Sequence, residues 1–267
     1  MKCNHAIALL DSGIGGLTVV REIHKQLPQE RIVYFGDTAR MPYGPRPQAE
    51  VRSFASQIIR FLLTQDVKLV IVACNTATAA GLPAYQQTYD LPIIGVIEPG
   101  ARAALRQTRK KRIGVIGTPG TIASKAYEKS LQALDPTVEV FSQACPLFVL
   151  LVENDLVNTP EAACVAEKYL HPLRQAGVDT LILGCTHYPL MEEVIAQVMG
   201  PDVTLISSAA ETAQEAKAIL TQQQLLRHEA GELPRHRFFV SGKPDSFTQQ
   251  AAALLDYRPE AYQVILP

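Results

Sequence analysis

From Ala6 onward the chain alternates short apolar runs with segments whose apolar residues recur at helical spacing. This alternation constrains the fold more than any other feature. "AIALL" (6–10) precedes a segment with Leu17, Val20, Ile23 and Leu27 on one face, and "RIVYFG" (31–36) follows, which reads as strand, helix, strand. Val51, Phe54, Ile58, Phe61 and Leu62 form a second helical face before "KLVIVA" (68–73). Further on, "IIGVI", "RIGVIG", "VEVFS", "TLILG", "VTLIS" and "RFFVS" each lie beside a helix-period segment. Runs apolar on both faces suit parallel strands covered on both sides. The expected class is therefore α/β, doubly wound, with mainly parallel sheets.

The pattern contains an internal echo. "VIVACNTA" (70–77) and "LILGCTHY" (181–188) are both apolar runs that end in a cysteine followed by small polar residues. The echo predicts two similar doubly wound domains facing each other across a central cleft. Their expected extents are 1–97 with 208–267 on the Cys74 side, and 98–207 on the Cys185 side. The crossings fall at Pro92 to Pro99 and Val203 to Ser208. In such sheets ligands sit beyond the carboxyl ends of the strands, where both cysteines lie.

With 267 residues and 47% hydrophobic content the chain can bury one large core or two modest ones without disulfide staples. A formal charge of −1 gives no global field for nucleic acid or an anionic membrane, so a small-molecule ligand is expected. The start "MKCNHAIALLDSG" lacks a secretory apolar core, and no run approaches the ~18 apolar residues of a membrane span. A cytoplasmic location is expected. Five cysteines spread along the chain are then thiols, each needing its own explanation.

A buried cysteine is commonly a small hydrophobe. Cys164, in the helix-like "EAACVAEKYL", and Cys145, before Pro146, fit that role, and Cys3 lies in a terminus expected to be mobile. Cys74 and Cys185 differ, because Asn75 and Thr76, or Thr186 and His187, follow them with hydrogen-bonding groups of the kind a reactive thiol needs. Three chemistries could use them. A cysteine hydrolase needs one nucleophile and leaves the second thiol without a role. A zinc site of Cys74, Cys185 and His187 lacks paired Cys-x-x-Cys spacing. Proton transfer at carbon uses both, one thiolate taking a proton from one face of a stereocentre while the other thiol returns one.

Other motifs are less decisive alone. "DSGIGGLT" (11–18) resembles a dinucleotide-binding turn, with Asp37 ending the next strand, but Thr18 stands where the third glycine belongs. Such a turn can equally present backbone N–H groups to a carboxylate, with Asp11 and Ser12 beside it. "DTARMPYGPRP" (37–47) is a loop long enough to cover a cleft, with Tyr43 and Gly44 at its tip. "RQTRKKR" (106–112) suits a solvated helix C-terminus better than a nucleic-acid site. His187 could tune Cys185, and Glu153 follows a wholly apolar run.

Together "LLDSGIGGLTV", "YFGDTARMPYGPRP", "VACNTATA", "GVIGTPGT", "CPLF", "LGCTHYPL" and "SSAAETA" resemble the glutamate racemases, the glutamate branch of the aspartate/glutamate racemase superfamily. The resemblance runs from about Ala6 to Ala213. It implies a cofactor-independent enzyme in which Cys74 and Cys185 exchange the α-proton on opposite faces of glutamate. It implies Asp11 beside Cys74, and His187 with Cys185, as assistants, and Glu153 as a third assisting acid. It carries substrate contacts to Asp11, Ser12, Tyr43, Gly44, Asn75, Thr76, Thr118, Thr121, Thr186 and His187, with no metal. It further implies D-glutamate supply to bacterial peptidoglycan and a homodimer. Some relatives are known to bind DNA gyrase, but no segment here is distinctive of that role, and with the first strand close to Met1 no N-terminal regulatory extension is expected.

Overall fold

The computed structural model describes residues 2–227 and 234–267. The chain divides into two compact units, one formed by residues up to Val96 together with those from Ala209, the other by Ile97–Ser208. The first unit opens with a 3-10 turn (Lys2–Asn4), then β1 (Ala6–Asp11), α1 (Leu17–Gln26), β2 (Ile32–Gly36), α2 (Gln48–Leu63), β3 (Val67–Val72), α3 (Asn75–Thr88) and β4 (Ile93–Gly95). The second holds α4 (Ile97–Gln107), β5 (Arg112–Gly117), α5 (Pro119–Ala123), α6 (Ala126–Leu134), β6 (Glu139–Ala144), α7 (Pro146–Glu153) and α8 (Pro160–Gln175). It continues with β7 (Thr180–Gly184), a 3-10 turn (Tyr188–Met191), α9 (Glu192–Met199) and β8 (Thr204–Ile206). The chain then returns to the first unit as α10 (Ala209–Gln222), β9 (Arg237–Val240), α11 (Pro244–Leu255) and β10 (Ala261–Gln263).

Both sheets are parallel, ordered β10-β9-β2-β1-β3-β4 in the first unit and β6-β5-β7-β8 in the second. The two-residue period of a strand divides the first core in two. Ile7 and Leu9 of β1 pack with α1, α10 and α11, while Ala8 and Leu10 face residues of α2 and α3. In α1, Leu17, Val20 and Ile23 are buried as their spacing requires. Each such side chain contributes roughly 1.5–3 kcal/mol by leaving water. In the second unit Leu181 and Leu183 of β7 join residues of α7, α8 and α9.

A buried ion pair closes the first unit. Lys68 Nζ lies 2.6 Å from Glu30 Oε2 and donates to the carbonyls of Cys3 and Leu225, both at 2.7 Å. Glu30 Oε1 accepts from the Arg227 N–H at 2.9 Å. One ammonium thus ties the N-terminal turn and the segment after α10 to β3.

Four expectations change. Cys3 is not a loose end, since its carbonyl is held by Lys68 and its thiol lies 3.7 Å from the Gln224 carbonyl. Cys164 is exposed, because α8 buries Ala162, Ala166, Leu170 and Leu173 and position 164 lies on the opposite face. The "VEVFS" strand, β6, is not covered on both sides. It is the outermost strand of its sheet, and all six of its residues are partly or fully exposed. Finally, β10 completes an edge of the first sheet without an apolar run to announce it.

Candidate active site

Strands β1 and β3 are neighbours, with Leu10 opposite Val72, so the chain leaves both at the same end of the sheet. After β3, Ala73 N–H still donates to the Leu10 carbonyl, and Cys74 then caps α3 in an extended conformation. The helix is locked from its first turn. Thr78 donates through its N–H to the Cys74 carbonyl and through Oγ1 to the Val72 carbonyl, each at 2.9 Å. Cys74 is only 4% exposed, and its Sγ lies 3.9 Å from Ser12 Oγ. Asn75 and Thr76, the first residues of α3, are buried beside it.

The glycine-rich loop after β1 folds around the last residue of that strand. The fully buried Asp11 carboxylate accepts from the N–H groups of Gly13 (3.0 Å) and Gly16 (3.1 Å), and Tyr34 donates to the Gly13 carbonyl at 2.7 Å. A Cβ on Gly16 would lie 2.6 Å from Asp11 Cβ and 2.8 Å from the Tyr34 hydroxyl, so only glycine fits. The amides that a dinucleotide pyrophosphate would use at Gly13 and Gly16 are committed to the chain's own carboxylate. That weighs against the dinucleotide reading.

Tyr43, expected at a loop tip, is buried, as is Gly44. Its hydroxyl donates to Asp37, and its ring packs 5.7 Å from that of Phe54. Burial first, and then the adjacent Asp37 carboxylate, push this phenol well above its ordinary range, so it remains a donor. Asp37 also accepts from Arg40 Nε (2.7 and 3.0 Å) and from Ser241 Oγ (2.7 Å), while its N–H donates to the Asp11 carbonyl (2.9 Å). The loop is therefore pinned to β1, β2 and the segment after β9.

In the second unit β5 and β7 are neighbours, with Gly117 opposite Gly184. A Cβ on Gly184 would come within 2.5 Å of the Ile116 carbonyl oxygen, so the glycine permits the close strand approach that precedes Cys185. Cys185, Thr186 and His187 are 6%, 7% and 2% exposed. Cys185 Sγ lies 3.8 Å from His187 Nδ1, and His187 Nε2 lies 2.6 Å from Glu153 Oε1. Glu153 reaches there because α7 buries Phe148, Val149, Leu151 and Val152 and ends on the acid. When Nε2–H donates to Glu153, Nδ1 is the acceptor nitrogen of the ring, and it faces the Cys185 thiol.

Tyr188 braces this turn, its N–H donating to the Cys185 carbonyl at 3.1 Å and its hydroxyl to the Cys145 carbonyl at 2.9 Å. Burial, with Cys185 nearby, pushes both the Tyr188 phenol and the Cys145 thiol upward, which keeps Cys145 a protonated core residue. Thr118 caps α5, accepting from the Thr121 N–H at 3.2 Å, and the two hydroxyls lie 3.0 Å apart. Among the described residues no three His, Cys, Asp or Glu side chains are placed to hold a metal ion. None of the described helices is long and apolar enough to cross a membrane. The basic run after α4 is solvated, with Arg109 and Lys110 exposed and their amides bound to Asp179.

The structure thus gathers Cys185, His187 and Glu153 into one chain of contacts, and sets Cys74 against Ser12. Sequence reasoning missed Tyr34, Arg40, Tyr188 and Ser241, and saw Asp37 only as a strand-end acid. The one signal for Asp37 was its place at the end of β2, the same kind of place that Asp11 holds on β1.

A model of the Asp/Glu/Hydantoin racemase family matches residues 10–216. The chain is 50% identical over 262 residues to the glutamate racemase of Geobacter metallireducens, covering 98% of this chain and 97% of that one. The crystal structure of glutamate racemase isoform RacE1 from Bacillus anthracis superposes with a TM-score of 0.95 at 49% identity, covering 98% of both chains. That of the Francisella tularensis glutamate racemase in complex with D-glutamate gives 0.91 at 36% identity, again over 98% of each.

Proposed function

The chain belongs to the Asp/Glu/Hydantoin racemase family, and from that premise we propose that it interconverts L- and D-glutamate by proton transfer at Cα between two thiols, without a cofactor. The observation that carries the reading is the pair of cysteines, each set just past the carboxyl end of a buried parallel strand and each beside a hydrogen-bonding side chain.

In this mechanism one thiolate removes the α-proton while the other thiol delivers a proton to the opposite face, and the roles exchange for the reverse reaction. His187 accepts the Cys185 proton, and the Glu153 carboxylate stabilises the imidazolium that results. On the other side Cys74 caps α3, whose first-turn N–H groups favour negative charge at that position, and Asp11 assists. Ser12, Tyr43, Gly44, Asn75, Thr76, Thr118, Thr121 and Thr186 hold the substrate's two carboxylates through neutral donors. Such donors bind without cancelling the charge that the substrate brings.

The α-proton is far less acidic than a thiol, whose reference pKa is ~8.5. Acceleration must therefore come from preorganised dipoles around the carbanionic transition state and from exclusion of water. We place the enzyme in the cytoplasm, as a homodimer, supplying D-glutamate for peptidoglycan. Purified, metal-free and PLP-free protein should bring the circular dichroism of L-glutamate, and separately of D-glutamate, to zero, with deuterium entering Cα in D2O by proton NMR. Racemisation of aspartate in place of glutamate would move the substrate to the neighbouring branch. Inactivity on both would refute the two-thiol reading.

A further inference from the structure

Strands β2, β9 and β10 are consecutive and parallel, so their amino ends share one edge of the first sheet. This edge is opposite the strand end that leads to Cys74, and the five residues of β2 separate the two by roughly 16 Å at ~3.3 Å per residue. A cavity of about 670 Å³ opens there, lined by Arg31, Arg235, Arg237, Phe239, Glu260 and Tyr262 beside His236. Its size lies within the range of small-molecule sites.

The charge is unusual for this chain, which is close to neutral overall. Several arginines elsewhere meet carboxylates: Arg40 meets Asp37, Arg46 meets Glu50, Arg112 meets Glu139 and Arg174 meets Glu167. Among the described residues no ion pair is found for Arg31, Arg235 or Arg237. Arg237 is held by Gln65, through Nη1 to the side-chain oxygen and Nη2 to the carbonyl, both at 2.9 Å, and its buried Nε has no hydrogen-bond partner. Arg31 makes only a 3.5 Å contact to the Asn4 carbonyl. Glu260, the one acid in the lining, is engaged by the Tyr262 hydroxyl, whose pKa that hydrogen bond raises. His236 accepts the Ile32 N–H through Nδ1 and adds no positive charge near neutrality.

Three arginines against one carboxylate leave the lining net positive, which suits a multiply charged oxyanion, since arginine forks match phosphate geometry. The rings of Phe239 and Tyr262, 6.2 Å apart and inclined by 43°, add an aromatic wall. We propose that this cavity is a second ligand site, separate from the racemase centre, that binds a diphosphate. Two sources share that chemistry. A nucleoside diphosphate would use the aromatic wall, and inorganic pyrophosphate would not.

Isothermal titration of the full-length protein with inorganic pyrophosphate, ADP and CDP, at constant ionic strength and with sulfate as control, tests the site. Saturable binding of a diphosphate should weaken roughly tenfold or more in Arg31→Gln and in Arg235→Gln, as loss of a charge-assisted fork contact implies. Both variants should keep the wild-type thermal midpoint and unliganded racemase rate. Tyr262→Ala should weaken ADP or CDP but not pyrophosphate if the nucleotide is the occupant, and leave all three alike if pyrophosphate is. No saturation by any diphosphate up to about 5 mM, equal affinity for sulfate, or binding indifferent to both arginine substitutions would overturn the proposal.

Discussion

Cys74 and Cys185 occupy equivalent backbone positions, yet their surroundings differ in kind. Each follows a buried parallel strand and a small residue, Ala73 or Gly184, and each is nearly sealed from solvent. Beyond Cys74 the chain enters a 14-residue helix directly, whereas a four-residue 3-10 turn stands between Cys185 and α9. The Cys74 thiol contacts a hydroxyl, and the Cys185 thiol contacts an imidazole backed by a carboxylate. A helix N-terminus can stabilise negative charge through fixed dipoles. Where no α-helix begins at the thiol, a titrating pair can serve the same end. Two thiols asked to perform mirror-image steps would thus be activated by different physical means.

Removing either thiol removes one face of the proposed reaction. Cys74→Ala and Cys185→Ala should each lower kcat/KM for racemisation by about 10⁴-fold, read by polarimetry, with unchanged thermal midpoints. A variant that kept a tenth of wild-type activity would show that its thiol is not one of the pair.

The two units also differ in how they are held together. The second is one continuous segment, while the first needs the returning chain, gripped by the buried Lys68–Glu30 pair. Lys68→Met leaves the Glu30 carboxylate buried without its counter-ion, which should cost about 3–5 kcal/mol. Hydrogen exchange should register the loss in β1, β2 and β3 and leave β5 and β7 protected. An equal loss in both units would mean that they unfold as one.

The alternation of runs and helical segments was enough to read the α/β class, because β1, β2, β5 and β7 are interior strands whose burial is written into consecutive apolar residues. Two of the edge strands carry no such record. β6 presents Glu139, Ser142 and Gln143 to its surroundings, and β10 is three residues long. Cys74 and Cys185 stood out for a local reason, a polar residue directly after an apolar run. What surrounds them is not local: Glu153 and His187 are 34 positions apart, and Asp37 and Ser241 are 204 apart. Cys164 was misread although the period of its helix was available, since Ala162, Ala166 and Leu170 already define a buried face that excludes position 164.

The imidazole–carboxylate pair offers a graded test of the asymmetry. His187→Asn should lower kcat/KM by about 10²-fold and Glu153→Gln by about tenfold, because the carboxylate acts only through the ring. Ser12→Ala, on the other side, should cost only a few-fold, since it removes a long thiol–hydroxyl contact. Enantiomers have equal free energies, so kcat/KM must fall equally in both directions. The asymmetry must therefore appear elsewhere, as a larger Cα-deuterium isotope effect in the direction where Cys185 removes the proton. Isotope effects that rise equally from both directions would place His187 outside the proton path.

The smallest effect expected is an acid one, and it again separates the units. In the first, the His24 and His236 rings meet at 4.5 Å, inclined by 38°, and among the described residues buried His24 Nε2 finds no hydrogen-bond partner. Burial lowers both pKa values. His236 falls to about 4, with His24 and Arg31 adding to the effect. A base with a depressed folded pKa binds fewer protons folded than unfolded, so its neutral form stabilises fully above pH ~6.5 and that contribution is lost as pH falls toward about 4. In the second unit the groups shifted within the acid range are carboxylates. Hydrogen bonds from Thr137 hold Asp135 at about 2, and those from Thr108, Lys110 and Arg109 outweigh burial at Asp179 to hold it below its ordinary value. Their contribution is present above the unfolded carboxylate range and is lost only as pH falls through the lower folded values. Lowering pH from 7 should therefore weaken exchange protection in β2 and β9 before β5 and β7, and His236→Asn should flatten the first of these losses. Earlier loss from β5 and β7 would mean that the carboxylates, not the paired histidines, set the acid limit.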